Sequence, residues 1–239
     1  MIGKLRTKQR FAKIAIMLKF ISLFLAVISL LGANPDISQN HLDQVKKNYR
    51  PSIPQHAKPL VILDAGHGGS DEGAKVNFFQ EKKVTLSTVL LLKKQLEEMG
   101  YRVILTRSRD VYIPLHRRVS IANRTRGVVF VSVHYNASKS QDVKGIEVFY
   151  CSGKDPWRTQ ASKRLASSIL SPLLSYTQAE SRGVKVGNFH VIRETEMPAV
   201  LVEAGFITNF DERTLLRDKK YLENLAKGIA IGIDKYLKG

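Results

Sequence analysis

The sequence predicts a single α/β domain: a mixed, mostly parallel, twisted sheet of about six strands with helices on both faces. Three observations lead there. Short, near-continuous apolar runs such as LVILD, VVFVSVH and AVLVE have the make-up of strands buried on both sides, which a sheet covered by helices requires. Between them lie segments with apolar residues at helical spacing, opened by proline or stopped by glycine. The composition, 44% hydrophobic and 25% charged over 239 residues, is ordinary globular usage and excludes a disordered or fibrous chain. The single cysteine, Cys151, excludes a disulfide scaffold and a cysteine-rich zinc module.

Leu60–Asp64 reads as the first buried strand. Glu81–Met99 carries Val84, Val89, Leu92, Leu96 and Met99 at helical spacing before Gly100, and so predicts a helix. Tyr101–Thr106 (YRVILT) is a strand. Pro114–Thr125 is a helix with proline in its first turn, where the missing N–H costs nothing. Val128–His134 and Ile146–Cys151 are two further strands. Trp157–Tyr176 is mainly helical, with Pro172 expected to end or kink it. Phe189–Arg193 and Ala199–Glu203 complete the strands, and Asp211–Leu237 holds one or two closing helices.

The N-terminus has the layout of an export signal. Lys4, Arg6, Lys8, Arg10, Lys13 and Lys19 precede the apolar run Phe20–Leu31, which ends in Gly32-Ala33-Asn34-Pro35. Residues 1–33 are therefore expected to be a signal peptide or an uncleaved anchor. Residues 34–58, polar and punctuated by Pro35, Pro51 and Pro54, are a linker, and residues 59–239 are the folded domain. The formal net charge of +17 calls for an anionic partner. Alone it would suggest nucleic acid; an export signal argues instead for an acidic polymer outside the cytoplasm.

If the strands are parallel neighbours, three residues converge where an α/β sheet binds ligands, outside the carboxyl ends of its strands, and a fourth at a helix start can point back into the same crevice. His67 follows the first strand within Asp64-Ala-Gly-His-Gly-Gly-Ser-Asp71. His134 closes VVFVSVH, Glu203 closes AVLVE, and Glu81 opens a helix. Two histidines and two glutamates converging on one crevice are the parts of a hydrolytic zinc site: three N/O ligands, an open position for water, and a free carboxylate to move protons. Taken singly, each has a structural explanation: a capped histidine, a paired glutamate, or an acid complementing a helix N-terminus. The sequence has no His-Glu-x-x-His, Gly-x-Ser-x-Gly or Ser-x-x-Lys, which disfavours common zincins, esterase-type serine hydrolases and penicillin-binding acyl enzymes.

Taken together, LDAGHGGSDEGA (63–74), Glu81-Lys82, LTRSRD (105–110) with Leu115, Arg118 and Ala122-Asn123, SVHYNA (132–137) and MPAVLVEAGFITN (197–209) resemble the zinc-dependent N-acetylmuramoyl-L-alanine amidases of the type-3 catalytic domain. The resemblance spans about Lys58 to Leu237. It implies hydrolysis of the amide between N-acetylmuramic acid and L-alanine of the peptidoglycan stem peptide. It implies one Zn²⁺ on His67, Glu81 and His134, with Glu203 as the catalytic carboxylate. Asn136, Arg107 and Arg118 are expected at the substrate, although both arginines have an alternative, structural role. The implied partner is peptidoglycan, not nucleic acid, with cell-division proteins as a further class. The membrane is met only through the N-terminal segment, the chain is expected to be a monomer, and its place is the periplasm or cell envelope.

Three residues depart from the family pattern: Ala65, Tyr135 and Ala204. Tyr135, next to a ligand histidine, is expected to narrow the substrate groove. Some family members insert a long segment whose helix covers the zinc after the strand that follows the second histidine; here only Ser152–Pro156 is left for it, so the site is expected to be open. The alternatives are a zinc peptidase cutting within the stem peptide and a non-catalytic wall-binding module.

Overall fold

The computed structural model describes residues 59–239. The signal-peptide and linker expectations, at 1–33 and 34–58, lie outside the described residues. In chain order the elements are β1 (Leu60–Ala65), β2 (Lys75–Val76), β3 (Phe79–Gln80), α1 (Glu81–Glu98), β4 (Arg102–Leu105), α2 (Leu115–Thr125), β5 (Val129–Asn136), β6 (Ile146–Tyr150), α3 (Pro156–Thr177), β7 (Ser181–Val186), α4 (His190–Glu194), β8 (Ala199–Phe206), α5 (Phe210–Leu215) and α6 (Lys219–Lys238). Six strands form one sheet in the order β4-β1-β5-β8-β6-β7, and β2 pairs with β3 in a small hairpin.

β4, β1, β5 and β8 run parallel, whereas β6 is antiparallel to β8 and parallel to β7. The chain leaves β1 for β4 on one side and returns past it to β5 on the other. That reversal opens a crevice between the carboxyl ends of β1 and β5, where α/β sheets place their ligands.

Strand alternation sorts the apolar residues into two cores. Val61, Leu63, Val131, Val133, Val200 and Val202 face one side, against Val89, Leu92 and Leu96 of α1, Leu165 and Ile169 of α3, and Leu225 and Ile229 of α6. Ile62, Phe130, Ala199 and Leu201 face the other, against Ala122 of α2 and Val191 and Ile192 of α4. Toward the carboxyl ends this second face turns polar, with Asp64, Ser132, His134 and Glu203 at the successive alternate positions. The two short helices cover the apolar stretch, and the polar stretch forms the site.

One expected strand is corrected. Phe189–Arg193 is not extended: His190–Glu194 is a short helix whose adjacent Val191 and Ile192 both pack into the second core. The sixth strand is Ser181–Val186. It is an edge strand with no fully buried residue, so it lacks the apolar run by which the others are read. Pro172 neither ends nor breaks α3, which continues to Thr177. The closing segment is two helices, capped by the side chains of Asn209 and Asp218. Among the described residues, no helix is long and apolar enough to cross a membrane.

Candidate active site

His67, Glu81 and His134 meet at the crevice between β1 and β5. Their ligand atoms all lie within 4.8 Å of one another. Glu81 stands between the histidines: its Oε2 is 3.0 Å from His67 Nε2, and its Oε1 is 3.0 Å from His134 Nδ1. The two rings meet edge to face at 4.8 Å between centroids. The carboxylate is fixed from behind, because Ala74 N–H donates to Oε2 at 2.8 Å and Tyr135 N–H donates to Oε1 at 3.0 Å. Burial works to raise the Glu81 carboxyl, but its hydrogen bonds to His134 and His67 outweigh that and hold it below the usual carboxylate range.

The glycine-rich loop carries His67 under strain. His67 has φ of 60°, a left-handed conformation that costs a non-glycine residue about 1–3 kcal/mol. Surrounding bonds hold it there. Gly68 and Asp71 form a backbone bridge, and Arg118 Nη2 donates to His67 O at 2.6 Å. Asp71 Oδ2 lies 2.9 Å from His67 Nδ1, orienting the ring so that Nε2 faces Glu81. Such a carboxylate behind a histidine is the usual support for a metal ligand. Gly66 leaves room for the second histidine: a Cβ there would stand 2.3 Å from His134 Cε1.

These observations test the fit to zinc. The donor set is two imidazole nitrogens and one carboxylate, which suits Zn²⁺ and matches a catalytic site with one position open. The ligand atoms all lie within 4.8 Å of one another, the Glu81 carboxyl is held below the usual carboxylate range, and both histidines remain partly exposed, at 23% and 18%. The residues fit the ion.

Glu203 lies beside this set. In the parallel pairing of β5 and β8 it stands in register with His134. It is 9% exposed, and its Oε2 is buried without a hydrogen-bond donor. Burial, joined by the charges of Glu81 and Glu147, pushes its carboxyl up to about 7 against the opposing pull of His134 and His67. A buried carboxyl with one unengaged oxygen and a near-neutral pKa can both take and give a proton near pH 7.

Of the two readings of Arg107 and Arg118, substrate contact and structural support, their surroundings favour the second. Arg107 and Arg118 are 3% and 2% exposed. Arg107 donates to the carbonyls of Ala65, Gly66, Lys82 and Arg109 and to Thr85 Oγ1. Arg118 donates to the carbonyls of Ile113, Ala65 and His67, and pairs with buried Asp64 at 2.8 Å. Their planar forks tie β1, the His67 loop and the start of α1 together. Burial works to raise Asp64, but Arg118 and hydrogen bonds from Thr106 and Ser132 prevail and hold it below its ordinary value.

Tyr135 is corrected as well. It does not narrow the groove. Alternation turns it to the face opposite His134, where it is 1% exposed and its hydroxyl shares a 2.6 Å hydrogen bond with Thr88 of α1. Asn136 lies at the far end of β5, its Nδ2 donating to Glu147 Oε1 at 2.8 Å.

Two participants escaped the sequence reading. Asp71 was visible only as part of a glycine-rich motif, although an acid four residues after a candidate ligand was a usable signal. Glu147 was the other: one acid inside the apolar strand IEVFY, 3% exposed and paired across the strands with Glu203. The connection from β6 to α3 is only residues 151–155, too short to carry a helix over the crevice.

Comparison with known proteins accords with this geometry. Residues 61–235 match the family described as N-acetylmuramoyl-L-alanine amidase. The chain is 32% identical over 209 residues to the N-acetylmuramoyl-L-alanine amidase LytC of Bacillus subtilis strain 168, covering 87% of this chain but 40% of LytC. The catalytic domain of CwlV, an N-acetylmuramoyl-L-alanine amidase from Bacillus (Paenibacillus) polymyxa var. colistinus, is 38% identical with a TM-score of 0.71, covering 75% of this chain and 98% of that one. An N-acetylmuramoyl-L-alanine amidase from Clostridium difficile 630 is 36% identical with a TM-score of 0.72, covering 76% and 98%.

Proposed function

The chain belongs to the N-acetylmuramoyl-L-alanine amidase family and is a peptidoglycan hydrolase of that kind; from this premise we propose that it cleaves with one zinc ion on His67, Glu81 and His134 and with Glu203 as general acid and base. The observation that carries the proposal is Glu203 Oε2, a buried oxygen with no donor, in register with a histidine of the ligand set. When bound, zinc supplies Lewis acidity, polarising the lactyl carbonyl and lowering the pKa of water to about 7. Glu203 accepts the proton of the attacking water and delivers it to the departing amine of L-alanine. Glu81 balances the positive charge of the site, Asp71 keeps the His67 ring in place, and Arg107 and Arg118 hold the loop that bears it.

The chain acts outside the cytoplasm in this reading, exported by residues 1–33 to the periplasm or cell envelope as a monomer, with residues 59–239 as the catalytic domain. Support comes from the basic-then-apolar leader and from a substrate that lies there. Mass analysis of digested muropeptides, with and without a chelator, tests the proposal. The expected products are peptide-free glycan and intact stem peptides with a new L-alanine amine, formed only without chelator. Cuts confined to bonds within the stem peptide would establish the zinc-peptidase alternative.

A further inference from the structure

We infer that Arg182 and Lys185, at the edge of the sheet, form a subsite for a carboxylate of the stem peptide on the leaving-group side of the scissile bond; the inference rests on the amidase reading. A polar row crosses the sheet on the site face. His134 of β5 is in register with Glu203 of β8, Glu203 is opposite Glu147 of β6, and Glu147 is paired with Gly183 of β7. The row ends in two cations. Arg182 Nε donates to Glu147 Oε2 at 3.1 Å, and Lys185 Nζ donates to the same oxygen.

The edge strand is shaped to bring them together. Residues three apart on a regular strand point to opposite faces. Here the β6–β7 register shifts between Ile146 and Glu147, their partners being Ser181 and Gly183, so Arg182 is the extra residue of a bulge. Gly183 follows it with φ of +85°, a conformation natural only to glycine. Bulges re-aim side chains, and this one turns Arg182 to the side that Lys185 already faces. The Arg182 guanidinium then lies 5.1 Å from the Phe206 ring centroid, and Lys185 Nζ lies 6.0 Å from that of Phe149.

Two cations share one carboxylate, so one positive charge is left over at the rim. Glu147 is buried, but the Arg182 and Lys185 side chains are 32% and 39% exposed, within reach of a ligand. The direction of the substrate follows from Glu203. It gives its proton to the leaving amine, so the peptide lies on its side of the ligand set, toward β6 and β7. The opposite flank is a cavity of about 310 Å³ whose lining includes Tyr112, Ile113, Leu115 and Val191. Arg118, the cation there, is 2% exposed and spends four of its five N–H groups on Ile113, Ala65, His67 and Asp64, whose carboxylate already balances its charge. Beyond the ligand histidines, the cavity's other charged lining residues are the paired Arg118 and the acids Asp64 and Asp71, which repel a carboxylate, while the apolar side chains suit a sugar ring.

The reach is right. β7 lies two strand spacings from β8, about 10 Å at 4.8 Å each. The α-carboxylate of the second stem residue lies about 7 Å from the cleaved nitrogen in an extended peptide, at about 3.5 Å per residue. The length of an arginine or lysine side chain closes the difference.

The test uses two soluble muropeptides that differ only in the second stem residue, one with a free α-carboxylate and one with the carboxamide. The readout is the ratio of their kcat/KM values, which is insensitive to the fraction of enzyme folded. The wild-type ratio is expected near 5, the upper end of what a half-exposed ion pair supplies. In the Arg182→Gln, Lys185→Gln double variant it falls to about 1, mainly through KM. Glu147→Gln, which removes the competing anion, raises the ratio above wild type. A wild-type ratio of 1, a ratio that survives in the double variant, or one that Glu147→Gln leaves unchanged would overturn the subsite. Failure of the wild type to cut either substrate next to L-alanine would instead overturn the amidase reading on which it rests.

Discussion

Glu203 and Glu147 stand directly opposite each other on antiparallel strands β8 and β6, two buried carboxylates with opposite surroundings. Glu147 receives hydrogen bonds from Asn136, Arg182 and Lys185, whereas Glu203 leaves an oxygen without a donor. Donors engage one acid on both oxygens; their absence leaves the other an oxygen free to exchange a proton. In the proposed mechanism the two environments separate the acid that moves the proton from the acid that supports.

Glu203→Gln should therefore bind zinc normally and lose about 10²–10⁴-fold in kcat, the usual share of a general acid–base group. Steady-state kinetics with metal analysis of the same sample checks this. Retention of more than about a tenth of the activity would mean that the role is misassigned.

His67→Ala and His134→Ala should lose both stoichiometric zinc and activity, since each removes one of three ligands. Elemental analysis after dialysis reads the metal. An active wild-type preparation without zinc would remove the basis of the site.

The raised carboxyl of Glu203 also sets a pH dependence of stability. Its folded value of about 7 lies above the ordinary 4.5. Its contribution is thus fully present below pH 4.5 and is lost as pH rises through about 7, where folding must hold a buried charge. In metal-free protein, Glu203→Gln should gain stability relative to wild type between pH 4.5 and 7 and keep the gain at pH 8. Urea unfolding of both forms at pH 4 and pH 8 measures it; equal differences at the two pH values would contradict the assignment.

Arg118→Ala should unfold the protein more easily by about 3–5 kcal/mol, the cost of leaving a buried partner charge, here Asp64, unpaired. The depressed Asp64 carboxyl works in the opposite sense to Glu203: its stabilisation is present above its ordinary 3.8 and disappears as pH falls through its lower folded value. Denaturant midpoints report the loss. An unchanged midpoint with a raised KM would restore the substrate-contact role.

The short β6–α3 connection predicts independence from an activator. The purified protein should cut clean sacculi unaided, because residues 151–155 cannot cover the ligand set and both histidines remain partly exposed. Release of soluble muropeptides over time is the measurement. A requirement for an added protein before any cleavage would show that another segment blocks the crevice.

Much of the site was legible along the chain because its chemistry sits at strand ends. An apolar run that stops at a histidine or glutamate marks both the strand and the residue it delivers, as at His134 and Glu203; the glycine-rich loop after the first strand marks His67, and the start of a helix marks Glu81. What the sequence could not express is strand order. Only the parallel neighbours β1, β5 and β8 bring His67, His134 and Glu203 to one crevice, and pairing between residues about 70 positions apart leaves no local pattern. The same non-local packing decided that Arg107 and Arg118 are buried supports, because a guanidinium is committed only by the carbonyls that surround it after folding. It also set Glu147 opposite Glu203 and made Ser181–Val186 a strand, since an edge strand is held by a neighbour's backbone rather than by apolar residues of its own. The alternation that buries Tyr135 against Thr88 was present in the sequence throughout; its meaning depended on which face of the sheet the ligands occupy, and tertiary structure settled that.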